Sequence, residues 1–229
     1  MRVIAIDGPA GSGKSTTARA VARQLGLAHL DSGGLYRAVT LGLLDSGVPA
    51  TAGAIVGLAH SLPVRLLLIG DVFRPEVAGV DVSQAIRESR VTARVSQVAA
   101  LPQVRDWVNH QLRMAAALHP RGVVVDGRDI GTVVFPDARV KVFLTASAEE
   151  RARRRSLQTG ARTDADGLKE VQSDLDRRDQ ADSSRTVAPL APAPDAILLD
   201  STRLGFEEQV DRIVELSRKA LDLAPDVDM

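Results

Sequence analysis

The segment Gly8-Pro9-Ala10-Gly11-Ser12-Gly13-Lys14-Ser15 fits the phosphate-loop pattern G-x-x-x-x-G-K-[ST] without a mismatch. Its surroundings are those the pattern requires. The apolar run Val3-Ile4-Ala5-Ile6 before it reads as a strand buried on both faces. After it, Ala18, Val21, Ala22 and Leu25 recur at i, i+3, i+4 and i+7, with Arg19, Arg23 and Gln24 on the opposite face and Gly26 as a stop. Glycines at 8, 11 and 13 let backbone N–H groups turn inward around a polyphosphate with no Cβ in the way. The helix N-terminus adds partial positive charge. Lys14 is placed to reach the β- and γ-phosphates, and the Ser15 hydroxyl to ligate Mg²⁺, with Thr16 next to it. The expected ligand is a nucleoside triphosphate.

Strand, glycine loop and helix open a βαβ unit, and the rest of the chain continues that rhythm. Buried-strand runs recur at Gly122–Asp126, Val140–Leu144 and Ala196–Asp200. Helical patterns fall near 34–45, 102–118, 147–158, 166–181 and 205–222. Strands alternating with helices predict an α/β protein with a parallel sheet. Residues 63–82 break the rhythm with Gly, Asp and Pro between short β-prone runs, and read as a small antiparallel insert. Residues 83–100 read as short, Arg-bearing helix, and the tail Ala224–Met229 as frayed.

The chain has 229 residues, enough for one or two domains with a real core. It has no Cys, which excludes disulfides, thiolate metal sites and cysteine nucleophiles. The 29 basic residues balance the 29 acidic ones, so no global field draws the protein to nucleic acid or membrane. Six aromatic side chains are too few for a base-stacking platform. No apolar run reaches the roughly 18 residues of a membrane span, and the N-terminus lacks the form of a signal peptide. A cytoplasmic location is therefore expected. Guanine-specific switches need an Asn-Lys-x-Asp segment, and the one Asn, Asn109, precedes His110. The four His show no metal-ligand spacing and read as structural or surface residues.

Three further segments carry chemistry. Asp31, Ser32, Tyr36 and Arg37 follow where the next strand ends, and in an open α/β sheet ligands collect at such ends. Asp31-Ser32 reads either as part of a site or as a helix cap. Asp126-Gly127-Arg128-Asp129 ends a buried strand, where its charges must meet a ligand, a metal or each other. Ser147-Ala148-Glu149-Glu150 reads as a capping box, opening a helix on which Arg151, Arg154 and Arg155 share a face. That face is either a solvated surface or a clamp over triphosphate. Arg178, Asp182 and Arg185, spaced i, i+4, i+7, share another.

The stretches IDGPAGSGKST, LDSGGLYR, VDVSQAIR, SQVAALPQVR, VDGRDIGTVVFPDARVKVFL, SAEERARRR, RRDQADSSRTVAPL and ILLDST resemble the bacterial cytidylate kinases, a branch of the nucleoside monophosphate kinases. The resemblance covers most of about 215 residues and rests most heavily on DGRDIGTVVFPDA and R-x-VAPL. It implies a P-loop fold with a five-stranded parallel core, a small antiparallel insert and a helical lid. The core would comprise residues 1–59, 101–145 and 186–229, the monophosphate-binding insert 60–100, and the lid 146–185. The implied reaction is transfer of the γ-phosphoryl of ATP to CMP or dCMP, with Mg²⁺; a monomer is expected. Ser32, Tyr36, Arg37, Arg105, Arg128, Asp129, Arg178, Asp182 and Arg185 match substrate-binding positions. Gly8 to Thr16 and Arg154 match ATP-binding positions, and Lys14, Arg128, Arg151 and Arg155 match catalytic ones. The sequence leaves two rivals: another small-molecule kinase on this scaffold, and an ATP-binding switch.

Overall fold

Strand β1, Val3–Asp7, is buried along its whole length, and its side chains alternate between two cores. Val3 and Ala5 enter one core, Ile4 and Ile6 the other. The computed structural model that shows this describes residues 1–221; the predicted frayed tail Ala224–Met229 lies outside the described residues. Helix α1, Lys14–Leu25, buries Thr17, Ala18, Val21 and Ala22 on the second core. It ends at Gly26, whose left-handed φ of 60° lets its N–H reach back into the last turn.

The chain continues through β2 (Ala28–Asp31), α2 (Ser32–Ser46), α3 (Ala52–Ser61), β3 (Val64–Ile69), β4 (Val72–Val77) and β5 (Val80–Asp81). Next come a 3-10 turn at Ala85–Arg87, α4 (Ser89–Ala99), α5 (Pro102–Leu118), β6 (Val123–Gly127) and a π-helical turn at Ile130–Val134. The last elements are β7 (Val140–Thr145), α6 (Ala148–Thr159), α7 (Ala165–Ser183), β8 (Ile197–Asp200) and α8 (Phe206–Leu221). Among the described residues no helix is long and apolar enough to cross a membrane.

Five parallel strands run in the order β2-β6-β1-β7-β8, the five-stranded core that the family resemblance implied. Residues 63–82 do form antiparallel strands, β3 with β4 and β4 with β5. They continue the main sheet instead of standing apart, because β4 also pairs with the edge of β2 at His29 and Val72. One expectation needs correction. The run at 196–200 is an edge strand, with Ile197 42% and Leu198 67% exposed; with a neighbour on one side only, it buries Leu199 alone. Helix α3 was not foreseen from sequence. Its small, glycine-bearing stretch AGAIVGLAHS has little apolar periodicity, and its start is fixed by Thr51, whose hydroxyl accepts from the Ala54 N–H at 3.4 Å.

Because β1, β2 and β6 are parallel and nearly in register, their carboxyl ends form one rim: Ile6 pairs with Asp126, and Asp126 with Asp31. That rim carries the chemistry.

Candidate active site

The loop after β1 is held by its backbone. Gly8 has φ 148°, and a Cβ there would sit 2.0 Å from the Leu144 carbonyl oxygen, so β7 leaves room only for glycine. Gly13, φ 90°, turns the chain into α1 with no side-chain cap, so the first N–H groups of the helix stay available. Lys14 folds back over the loop and donates to the Pro9 carbonyl and, at 3.3 Å, to the Ser12 hydroxyl. Burial, with Arg128 nearby, pushes its ammonium well below the ordinary lysine range. A buried cation whose partners are a carbonyl and a hydroxyl is poised for an anion.

Beside the loop, the Ser15 hydroxyl donates to Asp126 Oδ2 at 2.5 Å, while His29 Nε2 lies 2.7 Å from Oδ1. Burial pushes the Asp126 carboxyl up, but the bonds from His29 and Ser15 and the charge of Lys14 outweigh it and hold the group below its ordinary value. Behind the loop, Asp7 accepts from the N–H groups of Ile130 and Gly131 at 2.9 and 2.8 Å, which anchors the π-helical turn. Burial pushes its carboxyl up to about 6 despite those bonds.

A cavity of about 630 Å³ opens at the rim, walled by the loop, the α2 N-terminus, the α4 region and helices α6 and α7. It is lined by Ala10, Gly11, Gly13, Lys14, Ser15 and Thr16 on one side. On the other stand Ser32, Tyr36, Arg37, Arg105, Arg128, Asp129, Arg178, Asp182 and Arg185, with Arg154 and Arg155 from α6. Of the candidate residues, Gly8, Pro9, Ser12 and Arg151 do not line it. The first three shape the loop. Arg151 turns inward instead, donating to the Ala10 carbonyl at 3.0 Å and pairing with Asp179 and Asp176 of α7. Asp179 in turn accepts from the Ala10 N–H at 2.8 Å. These contacts pin helices α6 and α7 to the phosphate loop.

The wall opposite the loop is made of side chains. Asp182 receives Arg128 on one oxygen and Arg185 on the other, each at 2.9 Å. Arg105, 2% exposed, pairs with Asp129, donates to the Ala99 carbonyl at 3.1 Å and lies over the Tyr36 ring at 5.4 Å. The charges at the end of β6 therefore meet partners on α5 and α7. Arg37 donates to the Ile86 carbonyl and the Thr92 hydroxyl, and among the described residues the buried Arg178 Nε meets no hydrogen-bond partner. Burial and mutual repulsion push both guanidiniums down to about 10, Arg37 chiefly against Arg178, and Arg178 chiefly against Arg128. Arg155 is also held down, by burial and by Arg87. Cations that weaken one another across a cavity form a site for a polyanion.

Smaller expectations resolve as follows. Ser32 donates to the Asp126 carbonyl at 2.8 Å, tying β2 to β6. Asp31 starts α2 without a side-chain capping bond and instead faces Arg87 at 3.3 Å. Ser147 accepts from the Glu150 N–H at 3.2 Å, as a capping box requires, but Glu150 turns to Arg153 and Arg154. Those two arginines, with burial acting against them, hold its carboxyl down to about 2. Arg154 also bonds the Ser12 carbonyl and Ser201, linking α6 to the loop.

Sequence reasoning assigned no role to Arg87, Ser96 or Gln209, all of which line the cavity, and read Asp126, which also lines it, only as a charge needing a ligand, a metal or a partner. For Asp126 the signal was a carboxylate at the end of a buried strand. For Arg87 it was an arginine in the insert.

Comparison with known proteins agrees with this architecture. The family model described as cytidylate kinase matches residues 4–219. A cytidylate kinase of Mycolicibacterium paratuberculosis is 46% identical over 97% of each chain. One from Desulfitobacterium hafniense is 49% identical over 93% of this chain and 91% of its own. One from Pseudomonas savastanoi is 49% identical over 93% of both. A match that runs from β1 into α8, at nearly half identity over nearly whole chains, places this chain in the cytidylate kinase family.

Proposed function

We propose that the protein transfers the γ-phosphoryl group of ATP to CMP and dCMP, giving ADP and the cytidine diphosphates. One observation carries the reading: a single cavity joins a phosphate loop to a wall of mutually repelling arginines, so two polyanions can meet inside it.

The phosphate loop and Lys14 take the donor's β- and γ-phosphates, and Arg154 and Arg155 reach over them from α6. Arg37, Arg128 and Arg178 take the acceptor phosphate. Ser32, Tyr36, Arg105, Asp129, Asp182 and Arg185 hold the nucleoside. Residues 60–100 serve as the monophosphate-binding segment, residues 146–185 as the lid, and the rest as the core. One chain supplies every group, so a monomer suffices, and a cytoplasmic location fits such an enzyme.

The acceptor phosphate has a second pKa of about 6 and is largely dianionic at pH 7, so it attacks without a general base. The barrier is repulsion between the two phosphates and the charge spread over the transferring group. The arginines and Lys14 cancel both in a site fixed before the reaction. Arg151 supports this by holding α6 against the loop, and lid closure keeps water from taking the phosphoryl group.

Magnesium fits the residues present. The Ser15 hydroxyl and the Asp126 carboxylate are hard oxygen donors side by side at the loop. Because Ser15 donates its proton to Asp126, its lone pairs remain free for a cation. Among the described residues no group of three His, Asp or Glu side chains forms a metal cage, which suits an ion held mostly by phosphates. When bound, the ion would neutralise charge on the β- and γ-phosphates.

The test is an ADP-release assay with ATP and a panel of nucleoside monophosphates, with and without Mg²⁺. Fast release with CMP and dCMP, abolished by EDTA, is expected. Release driven only by a non-nucleotide acceptor, or slow hydrolysis indifferent to any acceptor, would sink the proposal.

A further inference from the structure

His29 lies at the middle of β2, paired in register with Val124 on one side and Val72 on the other. It is 1% exposed. Its strand neighbours Ala28 and Leu30 are apolar and buried, and an apolar residue at 29 would suit the strand. A buried imidazole is costly unless its polar atoms are engaged. Nδ1 meets no hydrogen-bond partner in the protein, so the side chain's polar engagement lies at Nε2, 2.7 Å from Asp126 Oδ1. Asp126 is an acceptor there, so Nε2 carries the proton.

The same carboxylate accepts from Ser15 through its other oxygen. His29, Asp126 and Ser15 thus form a chain from β2 across β6 to the phosphate loop. Occupying Oδ1 from behind leaves the carboxylate one orientation, with Oδ2 facing the loop. Partners behind a metal-binding group commonly matter tenfold or more to the metal's affinity. A purely structural account is weaker, since a buried imidazole with one nitrogen unpaired fits this strand worse than an apolar side chain would.

We propose that His29 is a positioning residue that orients Asp126 for the magnesium ion accompanying the nucleotide at Ser15. This rests on the proposed magnesium-dependent function. The imidazole touches neither nucleotide nor metal. Its effect is on how much magnesium strengthens nucleotide binding.

The test is calorimetric titration of ADP into the acceptor-free protein, once in EDTA and once in Mg²⁺. In His29→Leu, the tightening produced by Mg²⁺ should shrink by about tenfold relative to the unsubstituted protein. The affinity for ADP in EDTA should stay within about twofold, since the loop itself is untouched. His29→Gln keeps a donor near the Nε2 position and should recover most of the loss. An unchanged magnesium effect in His29→Leu overturns the inference while leaving the kinase reading intact. No magnesium effect in the unsubstituted protein overturns the metal site as well. Should His29→Leu fail to fold, ¹⁵N NMR of the unsubstituted protein decides. The Nε2 resonance should move when Mg²⁺ is added to the ADP complex, and a fixed resonance overturns the inference.

Discussion

The two ends of the cavity solve the same electrostatic problem with different materials. The end proposed for the donor is backbone: glycine conformations, the open N-terminus of α1 and one lysine, all within residues 8–16. The end proposed for the acceptor is side chains from α2, α5, the end of β6 and α7, with Arg105, Arg128 and Arg185 held by carboxylates. Backbone dipoles need no counter-ion when the site is empty. Guanidiniums in a half-buried wall do, and Asp129 and Asp182 supply it. Burial first, and neighbouring arginines second, push Arg37 and Arg178 down, and burial lowers Arg185 as well despite its pair with Asp182. The difference implies that the donor end should fail through its lysine or its burial, and the acceptor end through its carboxylates.

The largest effect is expected at Lys14. Lys14→Ala should lower kcat by about a thousandfold in a coupled assay while the protein stays folded, because it removes the one side-chain cation of the loop. A near-normal rate would show that backbone alone carries the donor end.

Asp7 tests the burial behind that loop. Its folded pKa of about 6 lies above its ordinary 3.8, so its contribution to stability is present below pH 4 and is lost as pH rises towards 6. Compared with Asp7→Asn, the unsubstituted protein should lose up to about 3 kcal/mol between pH 3.5 and 7, read from urea midpoints at several pH values. A gain over that range would mean that the two N–H bonds outweigh burial.

At the acceptor end, Asp182→Ala removes the partner of both Arg128 and Arg185. The kcat/KM for CMP should fall by about a hundredfold, with KM for ATP changed less than about threefold. Equal weakening of both nucleotides would erase the division between the ends.

Smallest is the contrast within α6. Arg154 bonds the loop, so Arg154→Ala should raise KM for ATP by about tenfold. Arg153 also lines the cavity, but it is exposed and its pair with Glu150 is worth little, so Arg153→Ala should stay within about twofold. If Arg153→Ala matched Arg154→Ala, the helix as a whole, and not its loop-facing side, would carry the effect.

Legibility in the sequence follows the same divide. The phosphate loop could be read directly because its chemistry is local: glycine spacing, one lysine and one serine, bracketed by a strand and a helix. The parallel core was legible from apolar runs, apart from the exposure of β8. At the acceptor end the residue types were visible, and family resemblance gave them roles, but not their partners. Arg105 meets Asp129 across 24 residues, and Arg128 meets Asp182 across 54. Arg151 bonds the loop and α7 while Arg154 and Arg155 line the cavity, because the face the three share does not say which neighbour each will meet.

By itself, the sequence determined a nucleotide-binding α/β chain, since backbone conformation and strand burial depend on residues a few positions apart. Tertiary structure decided which cations face the cavity, which carboxylates neutralise them, and that His29 and Asp126, 97 residues apart, share a hydrogen bond beside Ser15. Those outcomes depend on how strands are ordered in the sheet and how helices lie over it, and side-chain electrostatics is settled only where distant segments touch.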